Sequence, residues 1–221
     1  MYSFPVSFHL VAHPVAHDAL AALRDAATEP GEFRRLAHRI GLIMAAEATR
    51  DLPTTEVSVR TPLETTTGRA ISGDVVVVAV LRAGLCLVEP VLSLLPHARV
   101  GHIGLRRDER TAEAHQYSVH LPEDLAQSVV LLVDPMLATG GSAVMAIDLL
   151  KAAGARSIRL LSIVAAPEGV EAVQRAHPDV AIFSPTLDRE LNAQKFIAPG
   201  LGDFGDRLHG TGAGHTAPRE A

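Results

Sequence analysis

Residues 129–142 read VVLLVDPMLATGGS, and this stretch decides which fold the chain adopts. Five apolar residues lead into Asp134, the small residues 139–142 follow, and a helical pattern begins at Ala143. This order predicts a buried strand, a tight turn and the start of a helix. Such a turn presents backbone N–H groups and hydroxyls to a phosphate at the positive end of the helix. The acid can bind sugar hydroxyls or a metal ion. The segment indicates phosphate and ribose binding, with an ordinary helix capped by Ser142 as the alternative.

Strands and helices alternate along the rest of the chain. Apolar and β-branched runs predict strands at 57–60, 75–81, 100–105, 129–133, 157–164 and 180–184. Helical periodicity predicts helices at 16–24, 31–50, 84–95, 143–153 and 167–177. Residues 61–73 are expected to form polar turns. The alternation is typical of an α/β fold with a mostly parallel central sheet flanked by helices, in which ligands bind beyond the carboxyl ends of the strands.

The length of 221 residues fits one domain over residues 1–211. Residues 106–120, the arm, are polar and charged, which predicts either a solvated hairpin or loop or a flexible lid over the site. Residues 195–211 are rich in glycine and acids. Residues 212–221 are expected to form a disordered tail.

Composition excludes several classes of protein. The formal net charge of −5 argues against a general nucleic-acid surface, which needs clustered positive charge. The longest apolar run, residues 75–81, is too short to span a bilayer, so no membrane association is expected. The single cysteine, Cys86, and the lack of a secretory leader predict a cytoplasmic protein.

Several motifs, in the same order along residues 13–211, resemble those of type I phosphoribosyltransferases and of uracil phosphoribosyltransferases in particular. The motifs that carry the resemblance are Glu47 to Asp51, Leu81 to Leu85, Gly101 to Leu105, Arg107 to Glu109, Asp134 to Ser142, Val164 to Gly169 and Pro199 to Asp203. Pro135 stands where most type I relatives carry a second acid, as in the uracil branch. The resemblance implies the type I fold, with a small hood that binds the base and a flexible arm.

The resemblance further implies a site for phosphoribosyl diphosphate (PRPP). Residues 138–142, the phosphate turn, would bind the 5-phosphate, Asp134 would accept hydrogen bonds from two ribose hydroxyls, and Arg82 and Arg107 would bind the diphosphate. The full set of implied PRPP-binding residues is Arg82, Arg107, Asp134, Pro135, Met136, Leu137, Ala138, Thr139, Gly140, Gly141, Ser142 and Asp203. The implied catalytic residues are Asp134, Arg107 and Asp203.

By the same resemblance, residues 195–207, the base loop, would bind uracil mainly through backbone groups. The implied uracil-binding residues are Ile197, Gly202, Asp203 and Phe204. Uracil presents an acceptor–donor–acceptor edge that rigid backbone groups can match, whereas cytosine would leave a buried group unpaired. This sequence departs from the common bacterial pattern in the arm and the base loop, at Arg106, Phe196, Ala198 and Phe204.

The implied reaction is transfer of the phosphoribosyl group from PRPP to uracil, giving UMP and diphosphate in pyrimidine salvage. Mg²⁺, bound mainly through PRPP and not by a dedicated set of side chains, is the implied cofactor. GTP as an allosteric activator and a homodimer or larger homo-oligomer are the implied partners. Two alternatives remain: a nucleotide-sensing RNA-binding regulator on the same fold, and a phosphoribosyltransferase for another base.

Overall fold

The computed structural model describes residues 7–107 and 114–211, and the side chains of all of these except residues 106, 107 and 114. The strands, in chain order, are β1 (Phe8–Leu10), β2 (Thr54–Arg60), β3 (Thr65–Ile71), β4 (Asp74–Leu81), β5 (Arg99–Arg107), β6 (Ala114–His120), β7 (Ser128–Val133), β8 (Met136–Leu137), β9 (Ser157–Leu161), β10 (Val164–Ala165), β11 (Ala181–Ser184), β12 (Glu190–Leu191) and β13 (Ile197–Ala198). The helices are α1 (Pro14–Arg24), α2 (Pro30–Ala48), α3 (Val88–Leu94), α4 (Gly141–Ala152), α5 (Pro167–Ala176) and α6 (Phe204–His209), with 3₁₀ turns at Ala83–Leu87 and Leu125–Gln127.

A seven-stranded sheet in the order β1-β11-β9-β7-β4-β5-β6 forms the centre of the molecule. All neighbours in it are parallel except the antiparallel pair β5 and β6. From β4 the chain crosses through α3 to β5 on one side, and from β7 it crosses through α4 to β9 on the other. The direction of winding therefore reverses between β4 and β7, and the carboxyl ends of these two strands meet at the reversal. The predicted α/β class with a mostly parallel sheet is confirmed.

Strand β4 shows why both faces of the sheet are covered by helices. Val75, Val77 and Ala79 pack into one core with α1, α2, α3 and α6, whereas Val76, Val78 and Val80 pack into a second core with α4 and α5. Side chains alternate between the two faces of a strand, so an unbroken apolar run needs two apolar surroundings. The run at 75–81 is therefore diagnostic of a central strand.

The prediction of polar turns at 61–73 is wrong for residues 65–71. These residues form β3, which pairs antiparallel with β2 from Thr54↔Ile71 to Arg60↔Thr65. Most residues of the hairpin are exposed, and Leu63 at its tip is 96% exposed. A strand with no buried face lacks the apolar alternation that sequence patterns detect, although threonine favours extended backbone.

Several predicted boundaries change in the structure. The helix predicted at 84–95 is a 3₁₀ turn followed by α3, and the strand predicted at 157–164 is two strands, β9 and β10. The predicted arm is partly strand, because β5 reaches Arg107 and β6 begins at Ala114. Residues 108–113 of the arm and the predicted tail at 212–221 lie outside the described residues. Among the described helices, none combines the length and the apolar character that a membrane span requires.

Candidate active site

A cleft of about 700 Å³ opens where the winding of the sheet reverses. Arg82 follows the last residue of β4 and Asp134 follows the last residue of β7, and both line the cleft. The other lining residues come from β4 and the 3₁₀ turn after it, from β5, β6 and β8, and from α6 with its N-cap: Leu81, Ala83, Leu105, Tyr117, Met136, Asp203, Phe204, Gly205 and His209. Open α/β sheets bind ligands at such reversal points. Arg82 and Asp134 therefore lie together at the carboxyl ends of adjacent strands, as predicted, and their roles in binding stay predictions.

The phosphate turn forms a second, smaller cavity of about 190 Å³ that shares Asp134 and Met136 with the cleft. It is lined by Asp134 and by residues 136–143. Helix α4 begins at Gly141, so its first N–H groups have no acceptor within the helix and point toward this cavity. The alternative of an ordinary helix capped by Ser142 is wrong, because the N-cap is Gly140 at φ +81° and Ser142 lies inside the helix. This leaves the first turn of α4 available to an anion.

Strand β10 holds the segment before the phosphate turn in place. The Val164 N–H donates to the Pro135 carbonyl at 3.1 Å, and the Ala166 N–H donates to the Leu137 carbonyl at 2.9 Å. Pro135 is buried and lines neither cavity. Its direct contact with PRPP stays a prediction, whereas its support of the turn is visible in the hydrogen bonds.

Asp134 lies half-buried at the junction of the two cavities. Its main chain is fixed on both sides: the Asp134 N–H donates to the Leu161 carbonyl at 3.1 Å, and the Ser162 hydroxyl donates to the Asp134 carbonyl at 2.6 Å. Burial raises the pKa of the Asp134 carboxyl to about 7, while a hydrogen bond of 3.4 Å from the Met136 N–H to Oδ1 acts in the opposite direction. A carboxylate in this position can accept two hydrogen bonds from a vicinal diol.

The Arg82 turn is pressed against the end of β7. A Cβ at Gly84 would lie 2.4 Å from the Val133 carbonyl oxygen, so only glycine allows this approach. The Leu81–Arg82 peptide bond is cis. The Arg82 side chain is exposed and has no hydrogen-bond acceptor among the described residues, which leaves its guanidinium group available to an anionic ligand in the cleft.

Cys86, in the same 3₁₀ turn, is not poised for nucleophilic chemistry. Burial, together with the nearby Asp134 carboxyl, raises the pKa of its thiol to about 12. The thiolate is the nucleophilic form, so this environment keeps the group inert at neutral pH.

The base loop borders the cleft on the side of α6. Asp203 is the N-cap of α6, and its Oδ1 accepts a hydrogen bond of 2.9 Å from the Asp206 N–H. Phe204 is buried, with its ring edge-to-face on Phe33 at 5.0 Å between centroids. Ile197 is buried in β13, and Gly202 is at φ +82°. Of the predicted uracil-binding residues, Asp203 and Phe204 line the cleft, whereas Ile197 and Gly202 do not.

An ion pair that the sequence analysis missed lies behind the base loop. Arg24, the last residue of α1, donates to both carboxylate oxygens of Asp188, at 2.5 and 2.8 Å. Burial acts to raise the pKa of Asp188, but hydrogen bonds from Arg24 and the Gly200 N–H outweigh it and hold the pKa below its usual value. The two residues are 164 positions apart, so no local pattern could have linked them.

Leu105 of β5 and Tyr117 of the arm line the cleft, and Tyr117 was also missed by the sequence analysis. Its ring lies over Gly104, where a Cβ would come within 2.6 Å of it. The backbone of Arg107 ends β5, but its side chain lies outside the described part, so its predicted contact with diphosphate stays a prediction.

The described residues suit a metal ion that arrives with its ligand. Within residues 7–107 and 114–211, no cluster of three or more His, Cys, Asp or Glu side chains could hold a metal ion. Asp134 and Asp203 nevertheless line the same cleft, and Mg²⁺ is commonly held by one or two carboxylates together with substrate phosphates. The donor set fits Mg²⁺ as a companion of a diphosphate.

Comparison with known proteins agrees with this geometry. The family model described as uracil phosphoribosyltransferase matches residues 10–211. The curated uracil phosphoribosyltransferase of Streptococcus agalactiae serotype III is 49% identical over 205 residues, which cover 92% of this chain and 98% of that protein. The one from Symbiobacterium thermophilum is 51% identical over 203 residues, with coverage of 91% and 97%.

Solved structures share the architecture. The AQ2163 protein from Aquifex aeolicus superposes with a TM-score of 0.89 at 33% identity, covering 93% of this chain and 99% of that one. The adenine phosphoribosyl transferase of Trypanosoma brucei, at 13% identity, 92% coverage of both chains and a TM-score of 0.59, shares the fold alone. The chain therefore belongs to the uracil phosphoribosyltransferase family.

Proposed function

We propose that this protein is a uracil phosphoribosyltransferase, which transfers the phosphoribosyl group of PRPP to uracil and releases diphosphate. One observation carries the proposal. Arg82 and Asp134 leave adjacent strands at the reversal point of the sheet, with the phosphate turn on one side and Asp203 and Phe204 of the base loop lining the same cleft. A cation, a ribose-binding acid and an anion-binding helix start are the groups that PRPP requires.

In this proposal each part of PRPP has its own binding group. The 5-phosphate accepts hydrogen bonds from the first turn of α4 and from the hydroxyls of Thr139 and Ser142. The ribose 2- and 3-hydroxyls donate to Asp134. The diphosphate lies at Arg82, whose planar guanidinium suits phosphate oxygens. Arg107 is proposed, from the family resemblance, to reach the diphosphate from the arm.

The proposed reaction replaces one bond at C1 of the ribose with another. The C1–O bond to diphosphate breaks, a nitrogen of uracil forms the new C1–N bond, and the proton of that nitrogen passes to the departing diphosphate or to the solvent. Negative charge grows on the departing diphosphate, where Arg82 and Arg107 would stabilise it. Mg²⁺, when bound with PRPP, would neutralise further charge on the same oxygens. Closure of the arm would keep water from hydrolysing PRPP.

Base selection is assigned to the backbone of the base loop. Ile197, Gly202 and Phe204 would match the edge of uracil, with Asp203 close to PRPP and its Mg²⁺. Uracil remains the proposed base over cytosine or a purine.

The formal net charge of −5 continues to disfavour the RNA-binding alternative. Activation by GTP, homo-oligomerisation and a cytoplasmic location stay predictions from the resemblance.

The test is an assay of the purified chain with PRPP and Mg²⁺, supplied in parallel with uracil, cytosine, hypoxanthine or adenine. We expect UMP from uracil and little product from the other bases. Arg82→Gln should lower kcat/KM by about 10²–10³-fold, because a preorganised charge on the leaving group is lost. Asp134→Asn should lower it by about 10²-fold or more, because hydrogen bonds to a charged group are lost.

A matched control is Glu171→Gln, since this exposed acid of α5 lies away from both cavities. Its kinetic constants should equal those of the wild type. The absence of UMP formation from uracil by the wild-type chain would contradict the proposed function. Unchanged kinetics in Arg82→Gln would contradict the role given to that residue.

A further inference from the structure

We propose that the Arg24–Asp188 ion pair positions the base loop for binding uracil, acting from behind the cleft without touching the substrate. The inference deepens the proposed function and rests on it, because the base loop is taken to recognise uracil. Neither residue lines the cleft, although Arg24 borders a neighbouring cavity of about 480 Å³ together with Gly200 and Gly202 of the base loop. Both are therefore assigned as positioning residues and not as catalytic ones.

The pair is joined directly to the main chain of the base loop. The Gly200 N–H donates to Asp188 Oδ2 at 2.8 Å, and the Gly200 carbonyl accepts from the Arg24 guanidinium at 2.6 Å. Both backbone polar groups of one residue are therefore held by the two partners of one ion pair. The Thr186 hydroxyl donates to the other oxygen, Oδ1, at 3.1 Å, which orients the carboxylate further.

Burial makes this arrangement specific. The Asp188 side chain is 3% exposed and that of Arg24 is 23% exposed. A charge so far from water is stable only with its partners in place, so the bidentate pairing and the contacts to Gly200 depend on each other. Removing one partner would leave the other charge unpaired and would release Gly200.

Gly200 is where a small movement would reach the base site. It lies between β13 and Gly202, and a Cβ at Gly200 would approach the Ile197 carbonyl oxygen to 2.0 Å. The loop is thus folded tightly on itself between Ile197 and Gly202, two of the residues proposed to read the base. Recognition by backbone groups requires those groups to be placed within a fraction of an ångström. An anchor at Gly200 is suited to that task.

The experiment separates positioning from stability. Arg24→Met keeps the length of the side chain and removes the charge, whereas Arg24→Lys keeps the charge but lacks the planar fork that serves Asp188 and Gly200 together. We expect Arg24→Met to raise KM for uracil at least about tenfold, with the dissociation constant for PRPP, measured by calorimetry, unchanged within about twofold. Arg24→Lys should raise KM for uracil less than Arg24→Met does. If Arg24→Met does not fold, Arg24→Lys is measured in its place.

The matched control is Arg159→Met. Arg159 is similarly buried, at 15% side-chain exposure, and it pairs with Asp51 and binds the Ala48 carbonyl, but it lies outside the cleft and the base loop. It should lower the thermal unfolding midpoint without changing KM for uracil. An equal rise of KM in Arg159→Met, or an unchanged KM in a folded Arg24→Met, would overturn the inference.

A second readout distinguishes failure of this inference from failure of the proposed function. Hydrogen exchange at the Gly200 amide needs no substrate. We expect faster exchange in Arg24→Met than in Arg159→Met. If the wild type does not turn over uracil, the proposed function fails, and equal exchange in the two variants would in addition show that Arg24 does not hold the loop.

Discussion

At the scale of single residues, Asp134 combines two demands that conflict in the absence of a ligand. In the proposed function Asp134 must lie deep enough to meet the ribose, yet burial without a cation disfavours its charged form and raises its pKa to about 7. The ribose hydroxyls of PRPP would donate hydrogen bonds to the Asp134 carboxylate and so stabilise its charged form. Binding of the ligand would therefore shift Asp134 further toward its ionised form.

The raised pKa of Asp134 predicts a pH-dependent stability. In the unfolded chain this acid ionises near its ordinary pKa of 3.8, so the folded protein binds more protons between about pH 4 and pH 7. The contribution of the protonated Asp134 to the stability of the fold is complete below about pH 4 and is lost as pH rises through about 7. From pH 5 to pH 8 the wild type should lose about 2–3 kcal/mol relative to Asp134→Asn, at about 1.4 kcal/mol per pKa unit.

The measurement is urea unfolding of both proteins at pH 5 and pH 8 without ligand. Asparagine keeps Oδ1 for the Met136 N–H and does not titrate, so the difference between the proteins isolates the carboxyl group. Identical pH dependence in the two proteins would show that Asp134 ionises at an ordinary pKa.

At the scale of secondary-structure elements, the start of α4 depends on how closely α5 approaches it. Gly140 is at φ +81°, and a Cβ there would lie 2.8 Å from Ala172 Cβ and 2.9 Å from the Gly169 carbonyl oxygen. Glycine is needed here for two reasons: it adopts the left-handed backbone conformation readily, and its lack of a Cβ lets the two helices come into contact. The geometry of the phosphate turn is thus a property of two helices and not of the turn alone.

Gly140→Ala should destabilise the protein by about 1–3 kcal/mol and weaken PRPP binding, because α4 must shift away from α5. Gly31→Ala is the matched control, since a Cβ at Gly31 in the first turn of α2 meets nothing within 4 Å. It should be neutral or stabilise by up to about 1 kcal/mol. Chemical denaturation and PRPP calorimetry measure both effects. Equal stability and equal PRPP affinity in the two variants would contradict the close packing at Gly140.

At the scale of the whole molecule, the sheet separates two cores while the β2–β3 hairpin extends away from both. Leu132, in β7, is 0% exposed and belongs to the core under α4 and α5. Leu63, at the tip of the hairpin, is 96% exposed. Two leucine side chains therefore occupy the two extremes of burial in one protein.

Leu132→Ala should lower the free energy of unfolding by about 2–5 kcal/mol, because the deletion leaves a cavity between β7 and α4. Leu63→Ala should change it by less than about 0.5 kcal/mol, because the side chain already contacts water. Urea denaturation of the pair provides the comparison. A large loss in Leu63→Ala would mean that the hairpin tip is covered in solution.

Local patterns in the sequence were sufficient for the central strands, for the helices that cover them and for the position of Asp134 beside the phosphate turn. The run at 75–81 predicts a central strand because both of its faces are apolar, and residues 129–142 predict the strand, turn and helix that bring Asp134 to the phosphate turn. These features depend on neighbours within a few positions, so periodicity and turn chemistry reveal them. The order of the motifs was also enough to indicate the family.

The tertiary structure alone decided the features that join distant parts of the chain. It pairs β2 with a polar β3, brings Arg24 to Asp188 across 164 positions, and raises the pKa of Asp134 to about 7 by the packing around it. Desolvation and ion pairing depend on which groups meet in space, and a linear pattern does not contain that information. The sequence by itself determined the arginine, the acids and the small-residue turn proposed for the site, and the folded chain added Tyr117 and decided how these groups are held and charged.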